Sequence, residues 1–247
     1  MKFLLWSRGC PFKCTYCGRQ MLCQTIRHNS KEYAVDMLEH LVKRYGVRSV
    51  LFGDELFLNK KSFGEDVMEE ILRRGLRLQW ACQSRVNTVR PGLLKLMRQA
   101  GCAQIAYGVE SGSPQILQKI DKKATVEQAL QACAWTKEAG IGSAGYFMLG
   151  NPGETPETLE ETYRFIQKVA LDYIVLWYNT PMPGAPIWNE VEKWGTLKGW
   201  YADMSCMDIL FVPYGVTEDL LRQYSKKIYR AFYLRPGRVM QEVARLT

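Results

Sequence analysis

The chain has no apolar run approaching the ~18–20 residues that a membrane span requires, which excludes a transmembrane helix. Its first apolar stretch, Met1 to Trp6, is broken at once by Ser7-Arg8-Gly9 and reads as a strand, not as a signal peptide. Long basic runs are also lacking. The formal net charge is +8, but Lys and Arg are interspersed with acids, as in Lys119-Ile120-Asp121-Lys122-Lys123 and Glu190-Val191-Glu192-Lys193. No Gly/aromatic RNA-binding signature accompanies them, which argues against a nucleic-acid partner. Solvated surface charge is the ordinary reading, and a basic face that steers an acidic partner is the sharper one. A disulfide framework is missing as well. Five of the eight cysteines are scattered singly, which suits free thiols in a reducing cytosol. The chain contains no internal repeat and no low-complexity segment.

What is present is a core and an alternation. Hydrophobic residues make up 47% and charged residues 23% of 247 residues, the make-up of one large globular domain and a common length for a single α/β barrel. Apolar spacing predicts strands over 3–7, 49–52, 77–82, 103–109, 143–149 and 172–178. Helices are expected over 31–45, 62–74, 91–100, 125–139 and 156–170. Their ends are marked chemically: Pro91 and Pro156 sit at first helical positions, and Thr125 with Gln128 forms a capping-box pattern. Six strand–helix alternations imply parallel strands joined by right-handed crossovers. The fold class expected is α/β, an open partial (β/α)6 TIM-like barrel with a C-terminal helical and loop extension. Residues 1–180 would form the barrel and 181–247 the extension, within one structural unit. The extension is proline-rich over 179–185, rich in Trp and Met over 186–212, and helical over 218–234 and 238–246. It is expected to cover the barrel and line a substrate pocket, but it holds no motif that names a substrate.

The chemistry is concentrated in Arg8-Gly9-Cys10-Pro11-Phe12-Lys13-Cys14-Thr15-Tyr16-Cys17. Three thiolates this close bind soft metal, either zinc or an iron–sulfur cluster. A structural zinc site needs a fourth ligand, for which Cys23 or His28 would be candidates, but no second close pair of cysteines follows. Three ligands on a four-iron cluster leave one iron open.

The spacing Cys10-x-x-x-Cys14-x-x-Cys17, with Tyr16 before the last cysteine, resembles the cluster loop of the radical S-adenosylmethionine (SAM) enzymes. The resemblance implies a [4Fe-4S] cluster on Cys10, Cys14 and Cys17, with the amino and carboxylate groups of SAM on the open iron. It also implies reductive cleavage of SAM to methionine and a 5′-deoxyadenosyl radical. By the same resemblance, the Tyr16 carbonyl contacts the adenine amino group, and Asp54 or Glu55 of Gly53-Asp54-Glu55 holds the SAM amino group. Ser84 and Arg85 offer a hydroxyl and a guanidinium to the methionine carboxylate. Glu110 and Ser111 lie at the ribose or methionine, and the backbone of Tyr146, Phe147 and Met148 runs along the adenine. Each has a plainer reading. Asp54 could cap a turn, Arg85 could cap a carbonyl, Glu110 could form a structural ion pair, and the segment 146–155 could simply be a strand feeding a helix.

The resemblance covers roughly residues 1–180 and looks most like the cobalamin-dependent branch, which includes methyltransferases and some ring-forming enzymes. Methylthiotransferases share similar core motifs. The branch carries a cobalamin-binding domain before its barrel, whereas this sequence starts almost at the first strand. Cobalamin is therefore expected only if another domain or chain supplies it. The implied activity is hydrogen abstraction from a small-molecule or peptide substrate, with methylation as the leading outcome. The implied partner is an acidic electron donor such as a flavodoxin or ferredoxin, and the expected location is cytoplasmic. The rivals are a cobalamin-independent radical epimerase or rearrangement enzyme, and a non-catalytic metal-cluster protein. Cys82 and Cys206 are the thiols placed to donate hydrogen to a substrate radical, against the commoner role of cysteine as a small buried hydrophobe.

Overall fold

The computed structural model describes residues 1–18, 25–58, 61–199, 205–237 and 240. Cys23 and, except for residue 240, the helix expected over 238–246 lie outside the described residues. In chain order the strands are β1 (Lys2–Leu4), β2 (Ser7–Arg8), β3 (Arg27–His28), β4 (Ser49–Phe52), β5 (Gln79–Ser84), β6 (Cys102–Glu110), β7 (Gly142–Leu149) and β8 (Tyr173–Tyr178), then β9 (Gly195–Leu197) and β10 (Phe211–Pro213). The helices are α1 (Lys31–Tyr45), α2 (Lys61–Arg73), α3 (Pro91–Gln99), α4 (Pro114–Lys119), α5 (Val126–Glu138), α6 (Pro156–Lys168), α7 (Val191–Trp194) and α8 (Glu218–Tyr233).

Six strands form one parallel sheet in the order β1-β4-β5-β6-β7-β8, so each neighbour is the next main strand along the chain. This is the open TIM-like barrel expected from the alternation. Local chemistry sets the helix starts. Thr125 accepts from Gln128 N–H while Gln128 returns a side-chain contact, and Thr155 does the same with Thr158 ahead of Pro156. Between sheet and helices lies a close-packed core in which Trp6, Phe52, Phe57 and Trp80 stack, the first two with ring centroids 3.9 Å apart.

Two of the six strands end two or more residues away from the expected C-terminus, and the other strand ends differ by two residues at most. The strand predicted over 3–7 stops at Leu4, because the Trp6 and Ser7 backbone donors turn to the Asp54 carboxylate and Ser7–Arg8 pairs antiparallel with Arg27–His28. The strand predicted to end at Cys82 continues through Gln83 and Ser84, which stay in register with Ala106 and Tyr107. No helix among the described residues is long and apolar enough to cross a membrane.

The last strand would otherwise present unpaired backbone groups at the sheet edge. Helix α8 meets them with two tyrosines one turn apart. The Tyr229 hydroxyl accepts from Leu176 N–H at 3.0 Å. The Tyr233 hydroxyl accepts from Ile174 N–H and donates to Ile174 C=O, both at 3.0 Å. Beyond β7, the turn into α6 buries Glu154, whose carboxylate accepts from Thr158 Oγ1 at 2.7 Å and Asn151 N–H at 3.2 Å. Burial pushes that carboxyl from the usual 4.5 up to about 7, against the pull of those donors.

Two outcomes follow. Replacing Tyr229 or Tyr233 by Phe strips a partner from edge backbone and costs about 1–2 kcal/mol each in urea unfolding. Because Glu154 holds its proton more tightly when folded, its stabilising share is full below about pH 4.5 and is lost as pH rises through about 7. The ceiling of that loss is about 3 kcal/mol. Glu154→Gln removes this slope, so parallel stability–pH curves for variant and wild type would refute the assignment.

Candidate active site

The cysteine loop leaves the barrel at Leu4 and is held at both ends. The Asp54 carboxylate, 1% exposed, accepts from Trp6 N–H at 3.2 Å and from the Ser7 amide and hydroxyl, the latter at 2.6 Å. Burial raises this carboxyl, and the Ser7 and Trp6 donors oppose the rise. Gly9 N–H donates to Glu55 Oε2 at 3.1 Å, and the β2–β3 pair closes the loop behind it. Inside the loop Cys17 N–H bonds Cys14 C=O, and Thr15 N–H bonds Ile120 C=O at the end of α4. From the extension, Ile187 N–H bonds Thr15 C=O.

These ties set the loop over a cavity of about 180 Å³ at the C-terminal ends of β4–β7. Cys10, Cys14 and Cys17 line it together with Glu55, Ser84, Arg85, Glu110, Lys122 and Tyr146. Glu110 Oε1 accepts from Lys122 Nζ at 2.7 Å and from the Tyr16 hydroxyl at 2.9 Å. Lys122 is 4% exposed. Burial, then the Glu110 charge, holds the Tyr16 phenol well above its ordinary value, so it stays a donor. The backbone is strained around this trio. Glu110 (φ 70°), Asp121 (φ 51°) and Lys123 (φ 52°) are the non-glycine residues with left-handed φ among the described residues, and two of them flank Lys122. Such conformations persist where the surroundings impose them. Gly108 leaves the necessary room: a Cβ there would lie 2.7 Å from Glu110 Oε1 and 2.9 Å from Lys122 Nζ.

Arg85, 6% exposed, is fixed on three sides. Its guanidinium lies 3.7 Å over the Phe12 ring, Nη1 donates to Cys14 Sγ at 3.4 Å, and Nε donates to Asn87 Oδ1 at 3.3 Å. Nη2 is buried without a hydrogen-bond partner. A buried orphan donor of this kind costs about 1–3 kcal/mol unless a ligand accepts from it.

Of the residues singled out in the sequence, Cys10, Cys14, Cys17, Tyr16, Glu55, Ser84, Arg85, Glu110 and Tyr146 line one cavity. Four other candidates do not line it. Asp54 is spent on the loop entrance, and the Ser111 hydroxyl, 3.0 Å from Thr162 Oγ1, also accepts from Ser113 N–H. Phe147 alternates to the opposite sheet face from Tyr146 and packs on Phe165, while Met148 is buried outside the lining. Cys82 is buried in the core, where desolvation pushes its thiol up, and Cys206 is exposed beside β8, its carbonyl accepting from Tyr178 N–H. No described residue of the extension lines the cavity. The extension instead props the cysteine loop, through Ile187 and through Pro183 and Ala185 near Gly18. The residue sequence reasoning passed over is Lys122, read as one of several surface lysines. Its one local cue is a position just past the apolar trio Ile116, Leu117 and Ile120, which packs against Tyr16.

The donor set suits a cluster and a zwitterionic ligand. Among the described residues no three His, Cys, Asp or Glu side chains gather to hold a single metal ion, and the three thiols line the cavity. Two buried cations and two carboxylates face that space, with an unused N–H at Arg85. The Radical SAM superfamily model matches residues 4–166. The chain belongs to the radical SAM superfamily. Membership implies a [4Fe-4S] cluster and SAM, and the residues present fit both.

An uncharacterized methyltransferase of Pyrococcus horikoshii is 31% identical over 243 residues, covering 97% of this chain and 53% of the relative. An anaerobic magnesium-protoporphyrin IX monomethyl ester cyclase of Cereibacter sphaeroides is 31% identical over 234 residues, covering 93% of this chain and 38% of the relative. The radical SAM methyltransferase TsrM of Kitasatospora setae, solved with cobalamin and a [4Fe-4S] cluster, superposes with a TM-score of 0.73 at 19% identity, over 94% of this chain and 46% of that one. The chain therefore spans about half the length of these relatives or less.

Lys122→Met should destabilise this radical SAM core by about 3–5 kcal/mol, since it strands a buried carboxylate. Adding Glu110→Gln should recover most of the loss in denaturant unfolding. Equal stability of the single and double variants would show that Glu110 is not buried against Lys122.

Proposed function

We propose that this chain is the radical-generating part of a radical SAM enzyme that abstracts hydrogen from a small organic molecule, with methylation as the outcome. What carries the reading is the convergence of three cysteines, two buried cations and two carboxylates on one cavity at the C-terminal sheet edge. With cluster and SAM bound, the pair supplies a 5′-deoxyadenosyl radical by reductive cleavage of SAM.

The chain's own residues hold and orient. Cys10, Cys14 and Cys17 ligate the cluster. Lys122 Nζ and Arg85 Nη2 offer charge-assisted donors to the methionine carboxylate, and Glu55 accepts from the ammonium. Glu110 and the Ser84 hydroxyl serve the ribose and its neighbourhood, with the Tyr16 carbonyl and the Tyr146 backbone at the adenine. Phe147 and Met148 contribute main chain alone, while Asp54 and Ser111 act one layer further out, by fixing what touches the cofactor. Methylation is supported by the name of the Pyrococcus relative, and ring formation, named for the Cereibacter relative, is the second reading. Cobalamin, where the reaction uses it, comes from another domain or chain. An acidic low-potential electron donor suits a protein of pI about 9.0.

The test is anaerobic reconstitution with iron and sulfide, followed by dithionite and SAM, with and without added cobalamin. 5′-Deoxyadenosine and methionine should form in the wild type. In Cys14→Ala, which loses one of three ligands, both should fall to the no-enzyme level. Undiminished cleavage in that variant would refute the cluster assignment.

A further inference from the structure

We propose that Arg85 sets the reduction potential of the cluster that Cys14 helps to hold, an inference that rests on the cluster assignment above. Arg85 Nη1 donates to Cys14 Sγ at 3.4 Å, a cationic donor directed at a sulfur of the loop. Reduction adds one electron to the cluster and its thiolates. A cation and an N–H directed at a ligating sulfur stabilise that added negative charge, which raises the potential; hydrogen bonds to the sulfurs, net charge and burial are the levers a protein has on it.

Three features make this contact a fixed field. Arg85 is 6% exposed, so little water screens its charge. The Phe12 ring, within the cysteine loop itself, supports the guanidinium face at 3.7 Å. Asn87 accepts from Nε at 3.3 Å and passes the restraint on, its Nδ2 donating to Lys123 C=O at 2.7 Å in the strained turn that carries Lys122. The planar fork is thereby divided between two tasks. One arm faces the sulfur, and the arm without a partner, Nη2, remains for an anionic ligand. A lysine could supply the charge but not both directed arms. The required co-reactant is a one-electron reductant such as dithionite; one electron passes to the cluster, and no proton transfer or bond cleavage is needed for this step.

The experiment compares wild type, Arg85→Gln, Arg85→Lys and Phe12→Leu, reconstituted anaerobically, with iron and sulfide counted. Midpoint potentials are read by EPR-monitored dithionite titration in the absence of SAM, so loss of ligand binding does not enter. Arg85→Gln should lower the equilibrium constant for reduction at least tenfold, a shift of about 59 mV to more negative potential for one electron. Phe12→Leu, which leaves charge and cysteines in place, should shift it less and in the same direction. A fully loaded Arg85→Gln protein with the wild-type potential overturns the proposal. Should that variant not retain its cluster, wild-type potentials in both Arg85→Lys and Phe12→Leu overturn it instead. A wild type that takes up no [4Fe-4S] cluster refutes the underlying assignment, a result distinct from an unchanged potential.

Discussion

The Asp54 carboxylate is the constraint on which the site depends. A parallel barrel strand ends with its next amides unpaired, and here those of Trp6 and Ser7 are gathered by one buried side chain at the end of β4. A second bond from the Ser7 hydroxyl completes the clamp, and Glu55 takes the next amide but one, at Gly9. Adjacent acids therefore divide between anchoring and lining. Losing the clamp would leave two buried N–H groups unsatisfied at the point where the loop leaves the sheet.

From that anchor the site is assembled by parts of the chain far apart in sequence. The loop carries the thiols, the end of β5 carries Arg85, the end of β6 carries Glu110, and the turn after α4 carries Lys122. Left-handed backbone at Glu110, Asp121 and Lys123 is the energetic cost of aiming two opposite charges into one small space. Lys122 and Glu110 are paired at 2.7 Å, and Arg85 and Glu55 set a second cation and a second carboxylate on the same cavity.

Much of this was legible in the sequence because it is written in local chemistry. Apolar spacing, the Thr125 cap, the prolines at helix starts and the tight cysteine spacing each act within a few residues, and each reappears in the fold. What was hidden depends on direction and partners. Asp54 and Glu55 are neighbours in one motif, and only the fold separates them into an anchor and a wall. Phe147 carries the right motif position but faces the helices, as strand alternation requires once Tyr146 faces the cavity. Lys122 was invisible because a lysine among lysines looks solvated until the strained turn buries it. The role of the extension as a brace under Thr15 was likewise a matter of tertiary contact.

The tyrosine hydroxyls on β8 have a further consequence for shape. They satisfy the edge that a seventh strand would otherwise take, so the sheet terminates instead of curling round to meet β1. The sheet formed by the described residues is a crescent whose outer strands, β1 and β8, are not joined by a ladder. The outer edge of the sheet is thus finished by side chains, which substitution can vary without altering the main-chain ladder.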